Sequence, residues 1–111
     1  MDLNFFKQTR ILDGGMGQEL LARGMKPNGT LWSANALLQK KYHQLLLDTH
    51  VDFIKAGAEV IVTTTFTTRK IRLKDNNVED KFEYLNIKAG EIAQKAKKIY
   101  PNVLIAGGLP P

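Results

Sequence analysis

The chain contains no cysteine. That excludes a disulfide framework, a thiolate metal site and a cysteine nucleophile from these residues. No apolar run approaches the roughly 18 residues that a membrane-spanning helix requires. The opening Met1-Asp2-Leu3-Asn4-Phe5-Phe6-Lys7 lacks the long apolar region of a secretory signal, so no membrane partner is expected and the expected compartment is the cytoplasm. Also missing are the Gly-Lys-Ser/Thr that would complete a Walker A loop and the full glycine fingerprint of a dinucleotide site. Aromatic residues make up only 8%. The basic cluster of Arg69, Lys70, Arg72 and Lys74 has none among its cations to stack on bases, and the remaining positive excess falls late in one helical stretch, at Lys95, Lys97 and Lys98, where it complements a helix dipole. The net charge of +5 is therefore read as solvated surface, with no nucleic-acid partner expected.

What is present is an ordinary composition for one globular unit: 111 residues, 43% hydrophobic and 24% charged. The stretch that organises it is Ile11-Leu12-Asp13-Gly14-Gly15-Met16-Gly17-Gln18-Glu19-Leu20. Ile11 and Leu12 read as the end of a buried strand, and residues 18–23 as a short helix closed by Gly24. Three glycines between them free the backbone for positive φ and for close approach of a ligand. N–H groups at the helix start favour an anion. Asp13 either accepts hydrogen bonds from an ammonium group or fixes the turn through neighbouring amides. A zwitterion fits both halves, although Asp-Gly-Gly is also a common turn.

Downstream, Lys26-Pro27-Asn28-Gly29-Thr30 marks a loop, and its formal glycosylation sequon is read as a turn. Trp32 is expected to pack, and Ser33 to cap a short helix through Leu38. From Lys41 a helical stripe of Tyr42, Leu45, Leu46, Thr49 and Phe53 runs to Ala56-Gly57. His43 and His50 share a face but sit roughly 10 Å apart along the axis, too far to ligate one zinc, so both are expected to be surface or packing residues. Asp48 and Asp52 read as a solvated face. Residues 59–66 form the clearest strand, continuous and β-branched, as expected when both faces are covered. Thr63, Thr64 and Thr65 at its carboxyl end are either simple strand formers or site hydroxyls beside Asp13. A long helix is expected over 76–100 and a third strand over 103–106, followed by Gly107-Gly108. The order is β-α-β-α-β with parallel pairing, and it leaves the last strand as an exposed edge.

Ile11 to Leu20, then Leu31-Trp32-Ser33-Ala34, then Phe53 to Phe66, and finally Ile105-Ala106-Gly107-Gly108 together resemble the N-terminal part of homocysteine S-methyltransferases. That family includes the betaine- and S-methylmethionine-dependent enzymes and the homocysteine module of cobalamin-dependent methionine synthase. The resemblance spans nearly the whole chain in order. It implies that residues 1–111 supply the first three βα units of a (β/α)8 TIM barrel, a fold of typically about 250 residues. It also implies a zinc ion, held by three cysteines from later strands, that binds the homocysteine thiol as thiolate for attack on a methyl group and so yields methionine. It places Asp13 and Gly14 at the amino-acid end of homocysteine, Thr63 at that same end, and Phe66 near the methyl donor. No catalytic residue and no metal ligand is expected within the chain, which would be inactive alone. Residues 63–69 depart from the family's usual Thr-Asn-Thr-Tyr-Gln-Ala-Ser. The alternative is a small non-catalytic α/β module that binds an amino acid or anion, or one part of a barrel completed by a second chain.

Overall fold

The computed structural model describes residues 11–107. The expectations for Phe5, Phe6, Gly108 and the final prolines lie outside them. In order, the elements are α1 (Met16–Ala22), α2 (Ala34–Leu38), α3 (His43–Lys55), β1 (Val60–Val62), α4 (Lys70–Asp75), α5 (Phe82–Ile99) and β2 (Leu104–Ala106), with single 3-10 turns at Lys40–Tyr42 and Glu79–Lys81. β1 and β2 pair in parallel with Ile61 opposite Ile105, and Leu12 bridges Val60 in parallel from the other side. The parallel α/β arrangement is as expected.

Several expected boundaries shift. Ile11 and Leu12 form a bridge rather than a buried strand. Their side chains are 56% and 59% exposed because nothing among the described residues covers that face. β1 stops at Val62, since the Thr65 N–H turns back onto the Thr63 carbonyl at 2.8 Å. The long helix starts at Phe82, because Asn76 and Asn77 close a separate helix, α4, that the basic cluster concealed.

Three helices end in the same way. After α1, α3 and α4 the chain passes through a left-handed residue, Gly24 (φ +106°), Gly57 (φ +121°) or Asn77 (φ +61°). In each case the next N–H reaches back to the helix: Met25 to Leu20, Ala58 to Phe53, Val78 to Leu73. These paired bonds are Schellman caps. They bring Met25 onto Leu20 and Val78 onto Leu73 within one apolar cluster, which also holds Leu31, Leu37, Leu46 and Leu85. A second cluster, of Ala58, Ile61, Ala93, Ala96 and Val103, joins the strands to α5. Alanines at 89, 93 and 96 keep the buried face of α5 shallow, so its backbone can lie close to its neighbours. Cutting a fully buried leucine of this core to alanine would cost about 2–5 kcal/mol.

Candidate functional site

At the carboxyl end of β1, a pocket of about 530 Å³ opens between the Asp13 turn and the loops before α2 and α4. The strand positions the acid twice over. The Asp13 N–H donates to the Val60 carbonyl at 3.1 Å, and its Oδ2 accepts the Val62 N–H at 3.1 Å. Burial raises the Asp13 pKa above the ordinary carboxylate value, and the amides of Val62 and of Asp13 itself pull it partly back. One carboxylate oxygen thus ties the turn to β1 through Val62, a partner distant in sequence rather than a neighbouring amide of the turn.

The glycines do something other than expected. Gly14, Gly15 and Gly17 are absent from the positive-φ residues, which among the described glycines are Gly24, Gly29 and Gly57. Gly14 and Gly17 instead leave room for side chains. A Cβ on Gly14 would lie 2.9 Å from Phe53 Cε1, and one on Gly17 would lie 3.3 Å from Trp32 Cε3. α1 begins at Met16, two residues earlier than expected, which draws Gly17 into the helix.

Trp32 holds φ +51°, a conformation that costs a bulky residue of order 1–2 kcal/mol. Trp32 is 49% exposed: it packs against Gly17 of α1, as expected, and also forms one wall of the pocket. Phe66, 56% exposed, forms another. Asp13, Gly14, Thr63 and Phe66, the first and last of them 53 positions apart in the sequence, all line this one cavity. Thr64 lines it as well, and Thr63 Oγ1 lies 3.1 Å from Thr65 Oγ1.

Ser33 occupies the N-cap position of α2 without a side-chain hydrogen bond. The cap comes from Thr67, whose Oγ1 accepts the Ala34 N–H at 3.1 Å and donates to the Leu31 carbonyl. Thr68 Oγ1 bonds Asn86 Oδ1 at 2.8 Å on α5. The threonine run thus divides: residues 63 and 64 face the pocket, while 67 and 68 tie the loops that frame it.

Sequence reasoning missed several lining residues, two of them polar side chains from the framing loops and α4. Arg72, set aside as surface, lines the pocket from α4, and Ser33 lines it beside Trp32. His43 Nε2 lies 2.7 Å from the Leu37 carbonyl, and His50 is fully buried with Nε2 3.5 Å from Thr64 Oγ1, so both are packing residues. Burial alone lowers the His50 pKa to about 4. Asp52 stays exposed and pairs with Arg23 at 2.7 Å. No three His, Asp or Glu side chains among the described residues are grouped to hold a metal ion. No helix among them is long and apolar enough to cross a membrane.

Residues 10–111 match the family model described as homocysteine S-methyltransferase. Among curated proteins, homocysteine S-methyltransferase 2 of Zea mays is 36% identical over 81% of this chain, and the homocysteine S-methyltransferase of Escherichia coli is 29% identical over 91%. A selenocysteine Se-methyltransferase of Brassica oleracea is also 36% identical. The chain spans 26% of the maize protein and 34% of the bacterial one, about a quarter to a third of these relatives. The metallated crystal structure of the E. coli homocysteine methyltransferase MmuM superposes with a TM-score of 0.80 at 31% identity, over 97% of this chain and 40% of that one.

Proposed function

Because this chain belongs to the homocysteine S-methyltransferase family, we propose that it is the N-terminal part of a homocysteine-binding domain and that its pocket holds the amino-acid end of homocysteine. The observation that carries this reading is the convergence of Asp13, Gly14, Thr63 and Phe66 on one cavity at the end of β1. The Asp13 carboxylate, anchored on one side by Val62, offers its remaining lone pairs to the substrate ammonium. Gly14 and Thr63 supply neighbouring polar contacts. Phe66 and Trp32 make the apolar wall against which a methyl donor lies.

In the complete domain, which this reading takes as a (β/α)8 barrel in the cytoplasm, the substrate sulfur would form a bond to the donor's methyl carbon as the donor's own bond to it breaks. The thiol proton is lost and methionine is the product. The metallated relative supports a metal, zinc in this reading, at the thiol end. The residues of this chain do not fit one: there is no cysteine and no grouped set of His, Asp or Glu among the described residues. These residues therefore bind and orient substrate, and the reading makes the chain inactive by itself.

The exposure of Ile11 and Leu12 beside the sheet fits equally a second reading, in which another polypeptide, in place of the same chain, covers that face and completes the barrel. The intact mass of the endogenous product separates the two. A mass near 12.5 kDa would mean a short chain that needs a partner, and a mass two to three times larger would mean one continuous barrel.

Titration of homocysteine against the wild type and Asp13→Ala tests the site. Saturable binding that Asp13→Ala abolishes supports the reading; binding indifferent to residue 13 would sink it.

A further inference from the structure

The Asn28-Gly29-Thr30 turn has no part in the reading above, yet it sets two reactive groups side by side. Six asparagines fall among the described residues, and Asn28 alone is followed by glycine. In the other five the next backbone N–H is tied down. Ala36 donates to Ser33, Asn77 to Lys74, Val78 to Leu73 and Val103 to Tyr100, while Ile87 lies inside α5. The Gly29 N–H has no partner among the described residues. Asn28 and Gly29 are both exposed, and glycine has no Cβ to screen its nitrogen.

We propose that Asn28 is a self-modification site, at which the chain converts its own asparagine to aspartate and isoaspartate. The Gly29 nitrogen gives its proton to solvent base and bonds to Asn28 Cγ, closing a five-membered succinimide. The bond from Cγ to Nδ2 breaks, and that nitrogen leaves with a proton as ammonia. Water then opens either carbonyl of the ring. One water enters, one ammonia leaves, and nothing is oxidised or reduced.

The conversion reverses a contact that holds the loop. Asn28 Nδ2 donates to Asn35 Oδ1 at 3.0 Å, and Asn35 is fully buried. That oxygen also accepts Gln39 Nε2 at 2.8 Å, while Asn35 Nδ2 donates to the Lys26 carbonyl at 3.2 Å. After the reaction a carboxylate faces the Asn35 oxygen, acceptor against acceptor. Turning the Asn35 amide over would set its oxygen against the Lys26 carbonyl instead. The isoaspartate form also reroutes the main chain through Cγ and displaces the Asn28 carbonyl that accepts the Leu31 N–H at 3.2 Å. Thr30 stays clamped to α4, since Asn76 accepts its N–H at 3.2 Å and donates to its Oγ1 at 2.9 Å. The disturbance therefore passes through Asn35, whose N–H donates to the Trp32 carbonyl at 3.1 Å.

The test incubates the full chain in mildly alkaline buffer, folded and in urea, and follows each asparagine peptide by mass spectrometry. Isoaspartyl methyltransferase labelling identifies the product. Asn102 is the internal reference, because it is exposed in a turn while its following N–H is bonded. Folded Asn28 should convert at least about ten-fold faster than folded Asn102, and within about ten-fold of its own rate in urea. Asn28→Gln, which would need a larger ring, should lose the labelling. Trp32 is the only tryptophan, so its emission reports on this loop. Aged wild type and Asn28→Asp should both show a shifted emission and a lower urea midpoint than fresh wild type. A folded rate no faster than that of Asn102, or slowed more than about ten-fold by folding, means that the loop shields Asn28 and overturns the site. Emission and midpoint unchanged in both aged wild type and Asn28→Asp overturn the role of the Asn35 contact.

Discussion

Thr67 Oγ1 accepts the N–H of Ala34 at 3.1 Å, so a residue 33 positions downstream caps helix α2 where its own Ser33 does not. The same hydroxyl donates to the Leu31 carbonyl, and the residue is 1% exposed. Thr67→Val keeps the shape and removes the hydroxyl from between its two partners, which still bond each other, Ala34 N–H to the Leu31 carbonyl at 3.0 Å. A typical net hydrogen bond contributes about 0.5–1.5 kcal/mol. The expected loss is therefore about 1–2 kcal/mol in urea unfolding, against under about 0.5 kcal/mol for Ser33→Ala. Equal losses would remove Thr67 as the cap.

Gly29 is predicted to be intolerant of any side chain. Its φ of +56° closes the turn in which the Leu31 N–H reaches the Asn28 carbonyl, and a Cβ there would run into Asn76 Oδ1. Gly29→Ala should cost about 1–3 kcal/mol by thermal or urea unfolding. Because the clash falls on the residue that clamps Thr30 to α4, the substitution should also broaden the Trp32 emission.

His50 sets an acid limit on stability. Its folded pKa of about 4 lies below the ordinary histidine value of 6.5, so the unfolded chain binds the extra proton and stability rises with pH between those values. The contribution is fully present above about 6.5 and is lost as pH falls towards about 4. Across that window it amounts to roughly 3 kcal/mol. Asp13 acts in the opposite sense: its raised pKa weakens the fold as pH rises through that group's titration. Urea midpoints from pH 4 to 7 should climb for the wild type and flatten for His50→Gln. Parallel curves for the two proteins would refute the assignment to His50.

Asp13→Asn should fold, because the amide oxygen can still accept from Val62, while binding homocysteine about 10–100-fold more weakly through loss of a charge-assisted bond to the ammonium. Calorimetric titration measures this. An unchanged affinity would confine Asp13 to its turn.

Much of this arrangement was legible in the residues themselves. The apolar stripe of α3, the glycines at 24 and 57 and the β-branched run before Thr63 announce their elements because helix period, left-handed caps and buried parallel strands leave local signatures. The convergence of Asp13, Gly14, Thr63 and Phe66 was also anticipated, since the turn and the strand end lie at the same end of adjacent parallel segments. What stayed hidden depends on distance in the chain. Nothing local to Lys70-Ile71-Arg72-Leu73-Lys74-Asp75 shows that Leu73 is fully buried and Arg72 faces a pocket, so a helix looked like a charge cluster. Nor could Thr67 be matched to Ala34 from spacing. Glycines 14 and 17 were read for backbone freedom, when the demand on them comes from rings elsewhere in the fold.

That last feature has a genetic consequence. The turn that carries Asp13 is shaped from beneath by Phe53, a residue of α3 absent from the pocket lining, whose ring stands where a Cβ of Gly14 would be. Positions 14 and 53 therefore form one steric unit. Gly14→Ala should lose ligand binding on its own and regain it when paired with Phe53→Leu, and a suppressor screen begun from the first change should return residue 53. Among diverging homologues, the two positions should drift together.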